Sequence, residues 1–227
     1  MNYFAHGIRF LDRPYFLAGT SIPDWLSVAD RKVRMRSIRV APFADDSSSR
    51  QSEIAAGVLQ HLEDDRWFHQ TRAFFEITGE MTILFRDVLG REDGFRPGFL
   101  GHIVTELLLD GVLIENQPHL LDRYYEALNE IDAGVVQDTV NQMAQYQTQN
   151  LKPLLPRFNA EQFLRDYTDS SRLLFRLNQV MRRIKLNQLP AEIEDVLKAG
   201  WDVVRPRAAD LLPPEHFQIP DTMTLKL

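Results

Sequence analysis

The sequence of 227 residues contains no cysteine, which excludes disulfide bonds, thiolate metal ligands and a cysteine nucleophile. Nothing near its start has the make-up of a signal peptide: Arg9, Asp12 and Arg13 come early and no long apolar core follows. The longest apolar run, residues 99–114, is interrupted by His102, Glu106 and Asp110. It is therefore expected as a buried helix, and no transmembrane segment is expected. Strict alternation of apolar and polar residues is rare, which leaves little sequence for strands. Internal repeats and low-complexity segments are missing too. The net charge of −6, with a pI near 5.5, argues against a general nucleic-acid binder. These absences predict an all-α, soluble and cytoplasmic protein, long enough to bury a core without covalent staples.

What is present is helical spacing almost throughout. Residues 2–11 form an apolar segment containing His6 and ended by Asp12-Arg13-Pro14. Residues 14–31 are a second helical stretch, interrupted or restarted near Pro23-Asp24. A basic, irregular connection follows at 32–40, then a loop at 44–49 rich in helix-capping residues. Residues 52–89 contain no proline and read as helix, with Gly79 the place for a break. Residues 90–98 are turn-like, and Pro97 is placed to begin the helix over 99–114. Amphipathic helices are predicted over 120–131, 135–149, 160–185 and 191–212, punctuated by Pro153, Pro156, Pro190, Pro206 and Pro213-Pro214. The last dozen residues read as a loose tail.

Chemistry is suggested first by the stretch Gln60-His61-Leu62-Glu63-Asp64-Asp65-Arg66-Trp67-Phe68-His69. A helix turns about 100° per residue, so His61, Asp65 and His69 fall within an arc of about 80°. The apolar residues Ile54, Val58 and Phe68 share that side. A buried carboxylate must be paired, hydrogen-bonded or metal-bound, and His and Asp one turn apart offer two ligands to one cation. His61 and His69 stand roughly 12 Å apart along a helix axis. Either His61 and Asp65 bind the ion with His69 behind them, or the site holds two metals.

The second such stretch is Phe99-Leu100-Gly101-His102-Ile103-Val104-Thr105-Glu106, where His102 and Glu106 repeat the spacing in a helix apolar nearly all round. Helix-bundle metal sites are built in this way. His6, among Tyr3, Phe4, Ala5 and Ile8, and Asp24, after the apolar approach from Phe16 to Pro23, complete the set. Each residue also has an ordinary reading. His6 would be a hydrogen-bonded core residue, Asp24 a cap, and His61/Asp65 and His102/Glu106 simple pairs. One metal site accounts for them together. Asp64 reads as a solvated neighbour, Asp110 as a cap or a solvent-facing residue, and His119 and His216 as surface.

Met1-Asn2-Tyr3-Phe4-Ala5-His6, the approach to Asp24, Gly57-Val58-Leu59-Gln60-His61 with Asp65, and Gly101-His102 with Glu106 together resemble the acyl-carrier-protein phosphodiesterase family. That family is an α-helical relative of the HD-type metal phosphohydrolases. Gly19-Thr20-Ser21-Ile22-Pro23-Asp24 and the later Gly-His-x-x-x-acid run also look like bacterial members of the zinc-dependent phospholipase C family. The resemblance covers roughly residues 1–115. The chain has no His-Asp dipeptide, Leu62 follows His61 where the phosphodiesterases usually have Arg, and Trp67-Phe68-His69 replaces their Phe-Thr-Asp.

The resemblance implies a single helical domain of HD-like or phospholipase C-like type. A metal-site core would span 1–115, with further helices, 116–227, packed on the same domain. It also implies a metal-dependent phosphoesterase acting on a phosphodiester, carried by a small molecule, a lipid or a carrier protein. His6, Asp24, His61, Asp65, His102 and Glu106 are the expected ligands of divalent Zn, Mn or Fe. Asp65 or Glu106 is the expected general base and His69 the proton donor to the leaving group. Arg66, Arg72 or Arg96 would hold the phosphate. The competing expectation is a non-catalytic helical relative with a structural metal or polar core, acting as a binding protein through Arg172, Arg176, Arg182 and Arg183. A metal-dependent oxygen- or lipid-handling bundle is compatible with the same ligand types.

Overall fold

A computed structural model describes residues 1–45, 48–90 and 94–218. Asp46 and Ser47 of the expected capping loop, residues 91–93 of the expected turn, and the expected tail from residue 219 onward lie outside them. Among the described residues the protein is all-α, with no strand. The helices are α1 (Tyr3–Gly7), α2 (Pro14–Ala29), α3 (Ser37–Val40), α4 (Arg50–Phe68), α5 (Arg72–Leu89) and α6 (Pro97–Asn116). They continue with α7 (Pro118–Asn129), α8 (Ala133–Met143), α9 (Leu151–Glu161), α10 (Ser170–Arg183), α11 (Ile193–Val204) and α12 (Ala208–Leu211). Short 3-10 turns occupy Ile8–Phe10, Ala41–Phe43, Phe163–Thr168 and Arg205–Arg207.

The chain gathers into two compact units, Met1–Arg66 with Pro118–Gln162 and Trp67–Gln117 with Phe163–Gln218. Each takes one earlier and one later stretch of chain.

The first unit is built around α2, which buries nine residues, from Phe16 through Ile22 together with Trp25 and Leu26. Helices α1, α7 and α9 pack against it. Gly19 of α2 meets Gly57 of α4 main chain to main chain. A Cβ on Gly19 would fall on the Ile54 carbonyl oxygen, and one on Gly57 on that of Phe16. Pro23 was expected to interrupt this helix and does not, although with no N–H it leaves the Gly19 carbonyl without its usual helix bond.

The second unit is organised on the pair α5 and α6, with α11 against both. Contacts of Thr82 with Gly101 and of His69 with Glu106 show the two helices running antiparallel. A Cβ on Gly101 would meet Thr78 and Thr82, and one on Gly111 would meet Trp201 and the Tyr167 carbonyl. Among the described residues α6 is the one helix long and apolar enough to cross a membrane, and 67% of its apolar window is buried inside the protein. That is how a core helix is distributed.

Further sequence expectations need correction, among them the helix over 135–149, which ends at Met143. Residues 52–89 are not one helix broken at Gly79: the chain turns at His69-Gln70, and Thr71 caps α5 by accepting from the Phe74 amide at 3.2 Å. Capping by a threonine side chain competes with helix continuation, whereas Gly79 sits inside α5. The prolines at 153 and 156 lie within α9, which was not expected. Pro153 falls in the first turn, where no N–H is needed, and only Pro156 removes a bond, that of the exposed Lys152 carbonyl. The expected helix over 160–185 is a 3-10 turn followed by α10.

Candidate metal centres

The close approach of Gly19 and Gly57 brings the next turn of α4 onto α2. There the His61 Nδ1–H donates to the Thr20 carbonyl at 2.7 Å. With that proton used, a neutral His61 has only a lone pair on Nε2, which lies 3.5 Å from Asp65 Oδ2. His6, fully buried on α1, repeats the arrangement. Its Nδ1 donates to Asp64 Oδ2 at 3.4 Å and its Nε2 stands 3.2 Å from Asp65 Oδ1. The two imidazoles stack with centroids 3.9 Å apart. Ligand atoms of His6, His61 and Asp65 all lie within 4.8 Å of one another.

Two lone pairs this close to a carboxylate call for positive charge nearby, supplied by extra protons on the rings, by the Met1 ammonium or by a bound cation. An outer carboxylate or carbonyl holding the far nitrogen of each ring is the usual support of a metal-binding histidine, so the donor set fits a divalent ion. Burial pushes the Asp65 carboxyl up, but proton-bearing His6 and His61 rings together with the Met1 ammonium outweigh it and hold the group far below the usual carboxylate range. The Met1 amino nitrogen also donates to Asp65 Oδ1, at 2.8 Å.

Asp64, expected to be solvated, is fully buried. It bonds the Arg9 guanidinium and accepts from Gln60 Nε2 at 2.9 Å. Burial raises this carboxyl, and the His6 bond with the Arg9 charge brings it below its ordinary value. Its neighbour Asp65 drew attention in the sequence because it shares the face of His61. Asp64 points about 100° away, toward an arginine that lies in an otherwise apolar segment.

A second donor group forms within the other unit. His69 Nε2 donates to Glu106 Oε1 at 2.8 Å, and His102 Nε2 lies 3.2 Å from the same oxygen. The ligand atoms of these three residues also lie within 4.8 Å of one another. Phe74 packs against both rings, with centroids 4.9 Å and 5.0 Å away. Burial pushes the Glu106 carboxyl up, and the charge of the amino terminus with the bonds from the two imidazoles brings it well below its usual value. Protons on both Nε2 atoms satisfy this group by hydrogen bonds alone, so its geometry calls for an ion less strongly. The expected burial of His102 is not found: its side chain is 45% exposed.

Five of the six residues expected as metal ligands thus fall into two groups. His69, expected behind the ligands or as a proton donor, is itself a donor in the second, because it lies beyond the end of α4 and not on its face. Asp24 is half-buried on α2 and belongs to neither group among the described residues. Asp110 is fully buried, not solvent-facing. His119 and His216 are exposed as expected, with His216 stacked on Trp67. Of the arginines expected at a phosphate, Arg66 pairs with Glu63 at 2.5 Å and Arg72 with Glu76 at 2.6 Å. Compared with family models, with characterised proteins and with solved structures, the chain matches none.

Proposed function

We propose that the protein is a metal-dependent phosphoesterase that hydrolyses a phosphodiester. The observation carrying this reading is the first donor group: two buried imidazoles, each held at Nδ1 by an outer acceptor, with both Nε2 atoms within 3.5 Å of Asp65 and that of His6 buried without a hydrogen bond. His6, His61 and Asp65 would hold a divalent Zn, Mn or Fe ion. Such an ion lowers the pKa of bound water and polarises a phosphoryl oxygen. Thr20 and Asp64 fix the two rings, and the low pKa of Asp65 keeps it an anionic ligand at neutral pH. His102, Glu106 and His69 are proposed as a second, more exposed ligand group. The phosphoester as substrate rests on the sequence resemblance alone; if the second group holds no ion, His69 is free to serve as proton donor to the leaving group.

A second reading is a non-catalytic binding protein with a polar core. The Arg9–Asp64 pair favours it, because a cation already sits inside the first cluster. Metal analysis of protein purified without added metal, with turnover of bis(p-nitrophenyl) phosphate, separates the two. Metal together with turnover lost in His61→Ala supports the phosphoesterase. Metal without turnover favours the binding protein with a structural ion. Absence of metal even after reconstitution removes the enzyme.

A further inference from the structure

The connection between α2 and α3 carries Arg31, Lys32, Arg34, Arg36 and Arg39, five cations in nine residues, and no acid occurs from 31 through 44. All five are exposed. Among the described residues none of them forms an ion pair, in a protein whose net charge is −6. Two cations of α10 differ in this respect: Arg176 and Arg172 share Asp166 at 2.6 Å and 3.8 Å.

The segment is anchored. Val33, Met35 and Val40 are buried, which turns the alternate residues Lys32, Arg34 and Arg36 outward together. Within the same cluster, on α3, Ile38 is 84% exposed. A large apolar side chain presented to water in the same short segment as five cations without ion pairs has little use to a purely ionic partner. At an anionic lipid surface both features are satisfied, since the isoleucine enters the acyl boundary while the guanidinium groups meet the headgroup phosphates.

We propose that residues 31–39 are a docking surface for an anionic lipid bilayer. The surface lies outside both donor groups, so the proposal stands or falls independently of the catalytic reading.

The test is sedimentation of the full chain with vesicles of phosphatidylcholine alone and with vesicles containing about one phosphatidylglycerol in three lipids. Binding is expected only to the anionic vesicles, and it should weaken strongly as salt rises from about 50 mM to about 500 mM. Reversing two charges in R34E/R36E should lower partitioning at least about ten-fold. I38S should weaken it several-fold at low salt while keeping the salt dependence. Both variants alter exposed positions, and unchanged circular dichroism shows that they fold. Equal sedimentation on the two vesicle types overturns the proposal, as does full binding by either variant. Full displacement by poly-glutamate with I38S indifferent also overturns it, in favour of an acidic protein partner.

Discussion

His6 and His61 stack 23° from parallel, and the Nε2 of each lies within 3.5 Å of a different oxygen of Asp65. The two rings come from helices separated by about fifty residues of sequence, yet each is held at Nδ1 by an acceptor outside the group. A cation between the rings and the carboxylate would replace protons that neutral imidazoles lack. The first prediction concerns that cation. Zinc titrated into chelator-treated protein should bind and raise the melting temperature, as a ligand specific to the folded state must. His61→Ala should abolish this tight binding, and His102→Ala should leave it in place. Asp64→Asn, which weakens the support of His6, should cost 10–100-fold in affinity, roughly the effect of losing an outer partner of a ligating histidine. Calorimetric titration reads all three.

The Arg9–Asp64 pair is buried, with side-chain exposures of 8% and 0%. Removing one partner strands the other charge. Arg9→Met is therefore expected to lose about 3–5 kcal/mol in urea denaturation. The double variant R9M/D64L should recover part of that loss, because the stranded charge is gone. A double variant as unstable as the single one would mean that packing, not charge, holds this corner.

Gly57 and Gly79 should respond in opposite directions. Gly57→Ala places a Cβ against the Phe16 carbonyl oxygen and forces α2 and α4 apart, with an expected cost of about 1–3 kcal/mol. Gly79 lies inside α5 with nothing within 4 Å of where its Cβ would be. Gly79→Ala should stabilise the protein by about 0.8–1 kcal/mol through helix propensity. Denaturation midpoints of the two variants check both signs.

Asp169 caps α10, accepting from the Arg172 amide at 2.8 Å and from the Ser171 hydroxyl at 3.1 Å. The Arg172 amide and the Ser171 hydroxyl hold its carboxyl below the ordinary value. A pKa lower in the folded than in the unfolded state contributes stability above the unfolded value, near 3.9, and that stability is lost as pH falls through the folded one. Asp169→Asn should keep the cap and flatten this part of the acid limb, and Asp169→Ala should cost about 1 kcal/mol at neutral pH. Melting temperatures between about pH 2 and pH 7 distinguish the three proteins.

The helical class was legible because spacing of the Ile54, Val58 and Phe68 kind is local information. So was the pairing of His61 with Asp65, whose ligand atoms meet on a single turn. The break at His69 was less so. Thr71 is a good cap, but the absence of Gly and Pro around it favoured continuation, and that misplaced His69 on the face of α4. What sequence spacing does not carry is which residues from distant segments meet. His61 reaches the Thr20 carbonyl because Gly19 and Gly57 let α2 and α4 touch, His6 arrives from α1, and buried Asp64 is paired with Arg9 from another segment. Spacing left open whether one ion or two is held; five of the six expected ligands, with His69 added, form two groups of three, and Asp24 joins neither among the described residues.

The order in which the chain is made bears on how the first group is assembled. His6, His61 and Asp65 are all synthesised early, yet Tyr124 of α7, which packs on Gly7 and bonds the Ser21 hydroxyl at 3.0 Å, follows only after the whole of α5 and α6. A nascent chain must keep the inner surfaces of α1 and α2 uncovered through that interval. No single cut yields either unit intact, because each is sewn from two separated lengths of polypeptide.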